Sequence, residues 1–339
     1  MDIPSMTLSE LTEYIKQKGY PAFRAKQIYE WLHKKQIFDT SEMSNLPESM
    51  RKDIAAEIPV ITEETHLVSK KDGSIKYLMK MPDGQMIETV FMRYHHGNSV
   101  CISSQAGCRM GCRFCASTIG GLVRNLEPSE MLYQIYHAIR STGERVSNIV
   151  VMGTGEPLDN YDNLIRFLDL ITDENGYNIS ERNITVSSCG LVPMIKKLAD
   201  EKRTITFALS LHATTDEERK ALMPVAERYS LSETLDACRY YFDVTGRRLT
   251  FEYSLVRDVN DSEDHARRLA ALIKGLNAHV NLIPVNPVEE RKYKATEADR
   301  VELFKNILEK YRINVTIRRG MGSDIDAACG QLRRKYSNR

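Results

Sequence analysis

Apolar positions in the first sixty residues recur at helical spacing. Leu8, Leu11, Tyr14 and Ile15 share one face, Thr7 or Ser9 is placed to cap the helix, and Gly19-Tyr20-Pro21 ends it. A second amphipathic stretch, Phe23 to His33, sets Arg24, Lys26, His33, Lys34 and Lys35 around Phe23, Ile28 and Trp31. It reads either as a solvated basic face beside a core stripe or as a phosphate-contacting surface. From about 65 to 94 the pattern becomes short alternating runs separated by Lys71-Asp72-Gly73-Ser74 and Pro82-Asp83-Gly84, which predicts a small antiparallel unit. After Ser99 the period changes again. The β-rich runs Val100–Ser103, Asn148–Met152, Asn183–Ser187, Ile205–Leu211, Leu249–Val256, Val280–Ile283 and Val315–Ile317 alternate with helical stretches near 127–142, 160–174, 231–244, 261–275 and 296–311. Such alternation predicts a parallel sheet with crossover helices. Six or so units are too few for a closed eight-stranded barrel. The expected architecture is α/β: a partial (β/α)6 barrel over 97–339, preceded by a helical accessory domain over 1–60 and a short β linker unit over 61–96.

Composition narrows the class only a little. The chain has 339 residues, 42% hydrophobic and 27% charged, as expected for one large catalytic domain with a small appendage. No apolar run approaches membrane-spanning length, and Met1-Asp2-Ile3-Pro4 lacks the order of a secretory signal. Seven cysteines make no disulfide framework, so thiols and metal in a reducing cytoplasm are expected. A net charge of +1 means that any nucleic-acid surface must be local.

Chemistry enters with Cys108, Cys112 and Cys115, in Cys-Arg-Met-Gly-Cys-Arg-Phe-Cys. Three thiolates in one short loop suit three corners of a [4Fe–4S] cube, and no fourth cysteine lies close downstream. One iron would stay open to a ligand, and this spacing resembles that of radical S-adenosylmethionine (SAM) enzymes. The alternative is a structural zinc site completed by His95 or His96. Zinc sites usually pair Cys-x2–4-Cys with a second distant pair, which this chain lacks.

In a parallel β/α array, ligands gather at the carboxyl ends of the strands. That rule brings the cluster loop together with Gly153-Thr154-Gly155-Glu156-Pro157, Ser187-Ser188-Cys189-Gly190, Ser210-Leu211-His212 and Asn286. The first of these reads as a turn for close backbone approach, with Glu156 to meet an ammonium or hydroxyl; it could equally be an ordinary tight turn. His212 could be a satisfied polar residue at a strand end. Cys189 and Cys238 read as small buried hydrophobes. Cys101, seven residues before Cys108, and Cys329, among small residues near the C-terminus, are the thiols left for a chemical role.

Taken together, Cys101 to Cys108, Gly155-Glu156-Pro157-Leu158, Ser210-Leu211-His212, Asn281-Leu282-Ile283-Pro284 and Asp324 to Leu332 resemble the RlmN/Cfr family of radical-SAM RNA methyltransferases nearly end to end. The resemblance implies a methyl carrier at Cys329, a resolving thiol at Cys101 and a proton acceptor at Glu88. It implies SAM contacts at Gly155, Glu156, Ser187, Ser210, Leu211, His212 and Asn286. Thr154 departs from the Met that many members carry there. An adenine ring carbon is too electron-poor to attack a sulfonium methyl directly. The family's route uses two SAM molecules: one methylates Cys329, the other yields a 5′-deoxyadenosyl radical that activates that methyl. The carbon adds to the adenine, and Cys101 releases the product as a Cys101–Cys329 disulfide, which an external electron donor such as flavodoxin or ferredoxin resets.

The implied substrates are an adenosine in the peptidyl-transferase region of 23S rRNA and the adenosine 3′ of some tRNA anticodons. The implied partners include no membrane, and the chain is expected to be a monomer. The N-terminal helices and the tail at Arg333, Arg334, Lys335 and Arg339 are candidates for phosphate contact. Ala106 and Gly155-Glu156-Pro157-Leu158 favour carbon 2 over Cfr-type carbon 8 methylation. A small-metabolite enzyme would leave Cys101 and Cys329 without a purpose. A non-enzymatic RNA-binding protein would carry zinc and no iron.

Overall fold

The structure, a computed structural model, describes residues 2–286, 291–318, 320–322, 324, 325 and 332. Its first helix, α1 (Leu8–Gln17), begins where Thr7 and Glu10 form a reciprocal capping box, and it buries Leu11 and Ile15. The second, α2 (Phe23–Tyr29), widens into a π-helical turn over Glu30–Lys34 and is followed by α3 (Glu48–Ala55). Ile28, Trp31 and Leu32 are core, but Phe23 is 58% exposed. His33 is not part of a basic surface. It is wholly buried, its Nδ1 lies 3.2 Å from the Tyr136 hydroxyl, and burial pushes its pKa down to about 3, so it is neutral.

Three antiparallel strands come next: β1 (Thr62–Val68), β2 (Ile75–Lys80) and β3 (Met86–Met92), joined through the two turns that Gly73 and Gly84 make possible. They are not a free-standing sheet, because β3 pairs antiparallel with β4 (Asn98–Cys101), Val90 opposite Cys101. A separate hairpin, β5 (Gln105–Gly107) with β6 (Leu122–Asn125), brackets the three-cysteine loop.

The chain then runs α4 (Pro128–Thr142), β7 (Val146–Val151), α5 (Tyr161–Thr172), β8 (Ile184–Ser188), α6 (Val192–Asp200), β9 (Thr206–Ser210), α7 (Asp216–Leu222), α8 (Leu231–Thr245), β10 (Leu249–Leu255), α9 (Glu263–Leu272), β11 (Ala278–Pro284), α10 (Ala298–Lys310) and β12 (Asn314–Ile317). The ten-stranded sheet has the order β1-β2-β3-β4-β7-β8-β9-β10-β11-β12 and is parallel from β4 onward. Six crossovers between parallel strands make this the (β/α)6 partial barrel, with β12 as a closing strand.

Alternation along the barrel strands decides what reaches the interior. On β9 and β10, Phe207 and Tyr253 face the helices, stacking on Tyr241 of α8 and Phe304 of α10 at 5.0 and 5.4 Å between ring centroids. Their neighbours Ala208, Ser210, Glu252 and Ser254 therefore face inward. One hydrophobic core runs from Ile3 through the barrel to Leu308, so the N-terminal helices share it.

Candidate active site

The three-cysteine loop is built by its own backbone. Cys108 N donates to Gly121 O at 2.9 Å, closing the loop across the β5–β6 hairpin, and Cys115 N donates to Cys112 O at 3.1 Å. The Thr118 hydroxyl reaches the carbonyls of Cys112 and Cys115, while Arg113 N bonds Leu222 O at the end of α7. Gly107, with φ +82°, has no room for a side chain: a Cβ there would meet Gly121 O at 2.1 Å.

A cavity of about 220 Å³ opens at the carboxyl ends of the strands. Cys108, Cys112 and Cys115 line it together with Gly155, Glu156, Ser187, Ser210 and His212. Two expected contacts are not in that wall. The Leu211 side chain is wholly buried in the core, with its N–H bonded to Glu252 O and its carbonyl to Arg219, and Asn286 is exposed just past β11. Leu211 points away because the residues flanking it on the strand face the cavity. Cys329 and the basic tail at Arg333, Arg334, Lys335 and Arg339 lie outside the described residues.

The glycine turn also has a different cause from the one its sequence suggested. A Cβ on Gly153 would collide with Ile102 O at 2.6 Å, and one on Gly155, at φ +117°, with the Ser104 hydroxyl at 2.6 Å. Both glycines are required by the chain's own backbone after β4, whatever binds in front of them. Glu156 is buried; its carboxylate accepts Leu158 N at 3.0 Å and Cys189 N at 2.8 Å, and burial raises its pKa against the pull of those bonds. His212 sits at φ +56° with Nδ1 accepting Ser254 N at 2.9 Å. Burial pushes its pKa down to about 3, which leaves a neutral ring with the proton on Nε2.

The donors fit an iron–sulfur cluster. Burial pushes the Cys108 thiol up to about 12 and Cys112 well above its ordinary range, with neighbouring thiolate charge adding to both. Metal ligation reverses that cost by exchanging protons for iron. Among the described residues no three His, Cys, Asp or Glu side chains converge as one metal ion requires. A cube, whose irons each take one thiolate, needs no such convergence. The zinc alternative fails on topology: His95 and His96 precede β4, at the opposite end of that strand from the cluster loop.

Cys101 and Glu88 lie to one side. Cys101 packs with Val90 and Met92 of β3, and Met152 and Met321 cover them; Met152 also lines the cavity. Because Val90 pairs with Cys101, alternation puts Glu88 on the same face, two residues nearer the mouth. Glu88 is buried and its carboxylate lies 3.0 Å from the ammonium of the wholly buried Lys76. Lys76→Met is expected to destabilise the fold by on the order of 3 kcal/mol, because it removes one charge of a buried pair. Urea unfolding checks this; a change within about 0.5 kcal/mol, as for a surface residue, would contradict it.

Sequence reasoning missed several polar residues here. Glu252 and Ser254 of β10 line the cavity, and Arg219 of α7 is fully buried behind it, donating to Cys189 O at 2.6 Å. No motif marked them; only inward alternation of β10 could have found the first two. Cys189 is buried as expected, but it lies in the cavity wall rather than in the general core.

Fold and site are those of a radical SAM methyltransferase. The model of the Radical SAM superfamily matches residues 102–270, and that of the ribosomal RNA large subunit methyltransferase N-terminal domain matches residues 1–60. The crystal structure of a radical SAM methyltransferase from Sphaerobacter thermophilus superposes with a TM-score of 0.94 at 42% identity, covering 98% of each chain. A probable dual-specificity RNA methyltransferase RlmN of Lachnoclostridium phytofermentans is 58% identical over 100% of this chain and 96% of its own. The protein of the same name from Clostridium perfringens strain 13 is 51% identical, over 99% and 97%. This chain belongs to the RlmN family. Its cofactors are therefore a [4Fe–4S] cluster and SAM. No helix among the described residues is long and apolar enough to cross a membrane.

Proposed function

We propose that this chain methylates carbon 2 of adenosine in RNA, acting on the peptidyl-transferase region of 23S rRNA and on the adenosine 3′ of certain tRNA anticodons. What carries the reading is end-to-end likeness to dual-specificity RNA methyltransferases, together with three thiols and the strand-end polar residues lining one cavity next to Cys101. When bound, the cluster supplies the electron for reductive SAM cleavage, one-electron chemistry that no side chain provides. Cys108, Cys112 and Cys115 hold it. Gly155, Glu156, Ser187, Ser210 and His212 receive SAM from the strand ends, Leu211 fixes the backbone between Ser210 and His212, and Asn286 approaches from the rim.

The remaining roles belong to side chains near β3 and β4. Cys329, as thiolate, accepts a methyl group and presents it to the base, which requires an accessible sulfur. Glu88, on the Cys101 face, takes the proton lost from the ring carbon. Cys101 then attacks the sulfur of the carrier and frees the RNA. The target adenosine must leave its stack to enter so recessed a site. Phosphate contacts fall to the exposed basic residues of the N-terminal helices and to the C-terminal tail.

Mass spectrometry of nucleosides from 23S rRNA and tRNA of cells with and without the gene tests this directly. The expected result is 2-methyladenosine in both RNAs only when the protein is present. 8-Methyladenosine in its place would establish the carbon 8 reaction instead, and no methyladenosine in either RNA would refute RNA methylation.

A further inference from the structure

Glu252 is the least explained polar residue in the barrel. It is only 3% exposed and lines the cavity, and Asn281 Nδ2 donates to its Oε1 at 2.9 Å. Its Oε2 is buried and has no hydrogen-bond partner among the described residues. A buried carboxylate oxygen without a partner is costly, so it calls for a partner that the described residues do not supply. Arg318 lies close enough for its charge to act on Glu252, so the carboxylate is held in place from β11 and from beyond β12.

Register says what would meet it. Glu252 pairs with Ser210 on one side and Asn281 on the other, and Ser210 Oγ is 3.4 Å from Ser187 Oγ. Ser187, Ser210 and Glu252 thus form a polar row crossing three adjacent strands, away from the cluster loop. SAM with its amino-acid end toward the three-cysteine loop would extend its ribose along that row. The ribose diol is also the right chemistry. A hydroxyl both donates and accepts, so it satisfies Oε2 in either protonation state, whereas an amine meets only the ionised form.

Resting on the radical SAM reading above, we infer that Glu252 is a cofactor-binding residue whose Oε2 takes a hydrogen bond from a ribose hydroxyl of SAM. The test is equilibrium dialysis of reconstituted, unreduced protein without RNA, against SAM, 2′-deoxy-SAM and 3′-deoxy-SAM, with iron content measured alongside. Wild type should prefer SAM over one deoxy analogue by on the order of tenfold or more, the penalty for leaving a buried partner unmet. Glu252→Ala should lose a similar factor for SAM yet bind that analogue within about twofold of wild type, because the missing hydroxyl then has no partner to lose. Glu252→Gln keeps a hydrogen-bonding group and should retain most of the preference. Equal wild-type binding of SAM and both analogues would overturn the inference without touching the function. So would a Glu252→Ala protein that keeps the wild-type preference, which would place the contact on the adenine amine or the RNA base. Wild-type protein that binds no SAM at all would overturn the radical SAM reading and this inference with it. Should the Ala variant fail to fold, equal wild-type binding of SAM and both analogues would still overturn the inference.

Discussion

Replacing any one of Cys108, Cys112 or Cys115 by Ala should abolish reductive SAM cleavage, leaving only the background of iron-free protein. The geometry makes this a clean experiment. The loop is held by Cys108 N to Gly121 O, Arg113 N to Leu222 O and the Thr118 hydroxyl on two carbonyls, none of which uses a cysteine sulfur. The backbone should therefore keep its path when a thiol is removed, and the loss would belong to the ligand. With two thiolates the cube loses one anchor, and iron becomes labile. Cys189 is the nearest substitute among the described residues, since it lines the same cavity. Its backbone N–H is bonded to Glu156 and its carbonyl to Arg219, which fixes it behind the loop rather than in it. Cys189→Ala should keep the iron content of wild type, whereas each motif variant should fall well below it after the same anaerobic reconstitution. A motif variant that cleaves SAM at the full rate would refute the cluster assignment, and stoichiometric zinc in wild type would point to a structural metal.

What could be read from the sequence follows from where the physics is local. The parallel strands were legible because a strand buried on both faces is largely apolar, as Phe207-Ala208-Leu209 is within Ile205–Leu211, and because caps such as Asp261-Ser262-Glu263 mark the helices between. α6 and α7 went unpredicted; α6 opens with Val192-Pro193, where proline in the first helical turn is well tolerated. The β5–β6 hairpin was hidden because its partners lie either side of the cysteine loop and are only a few residues long. Polar residues on β10 gave no signal: Glu252 and Ser254 alternate with Phe251, Tyr253 and Leu255, which also fits a strand with one solvent face, and only the curvature of the sheet turns them toward the ligand. His33 misled for a related reason. Its charge state is set by burial, which depends on packing against residues far along the chain, such as Tyr136, 103 positions away. The three cysteines proposed to hold the cluster, by contrast, fall within eight residues of one loop and stand out by spacing alone.

The two remaining sulfurs should be separable by what each variant accumulates. Cys329→Ala removes the atom that carries the methyl group, so neither methylated protein nor methylated RNA should form, while iron content stays at the wild-type level. Cys101→Ala leaves the carrier in place and removes only the thiol that frees the product. It should trap RNA covalently joined to the protein, visible as a nuclease-sensitive species of higher mass. The environment of Cys101 suits that assignment. It is 5% exposed, beneath Met152 and Met321, which shield it from solvent. The segment that contains Met321 is tied to the β1–β2 turn, Gly322 N to Asp72 at 2.8 Å and Asp324 to the Ser69 hydroxyl at 2.7 Å. Met321, eight residues before Cys329, thus reaches the strand that carries Cys101. Replacing a buried cysteine by alanine changes polarity little, so Cys101→Ala should cost little in stability, about 1 kcal/mol for the lost sulfur contacts. The contrast between trapping and silence would then report chemistry rather than folding. If Cys329→Ala traps RNA and Cys101→Ala does nothing, the two roles are exchanged. Normal methylation by both variants would rule out a protein-bound carrier in this enzyme.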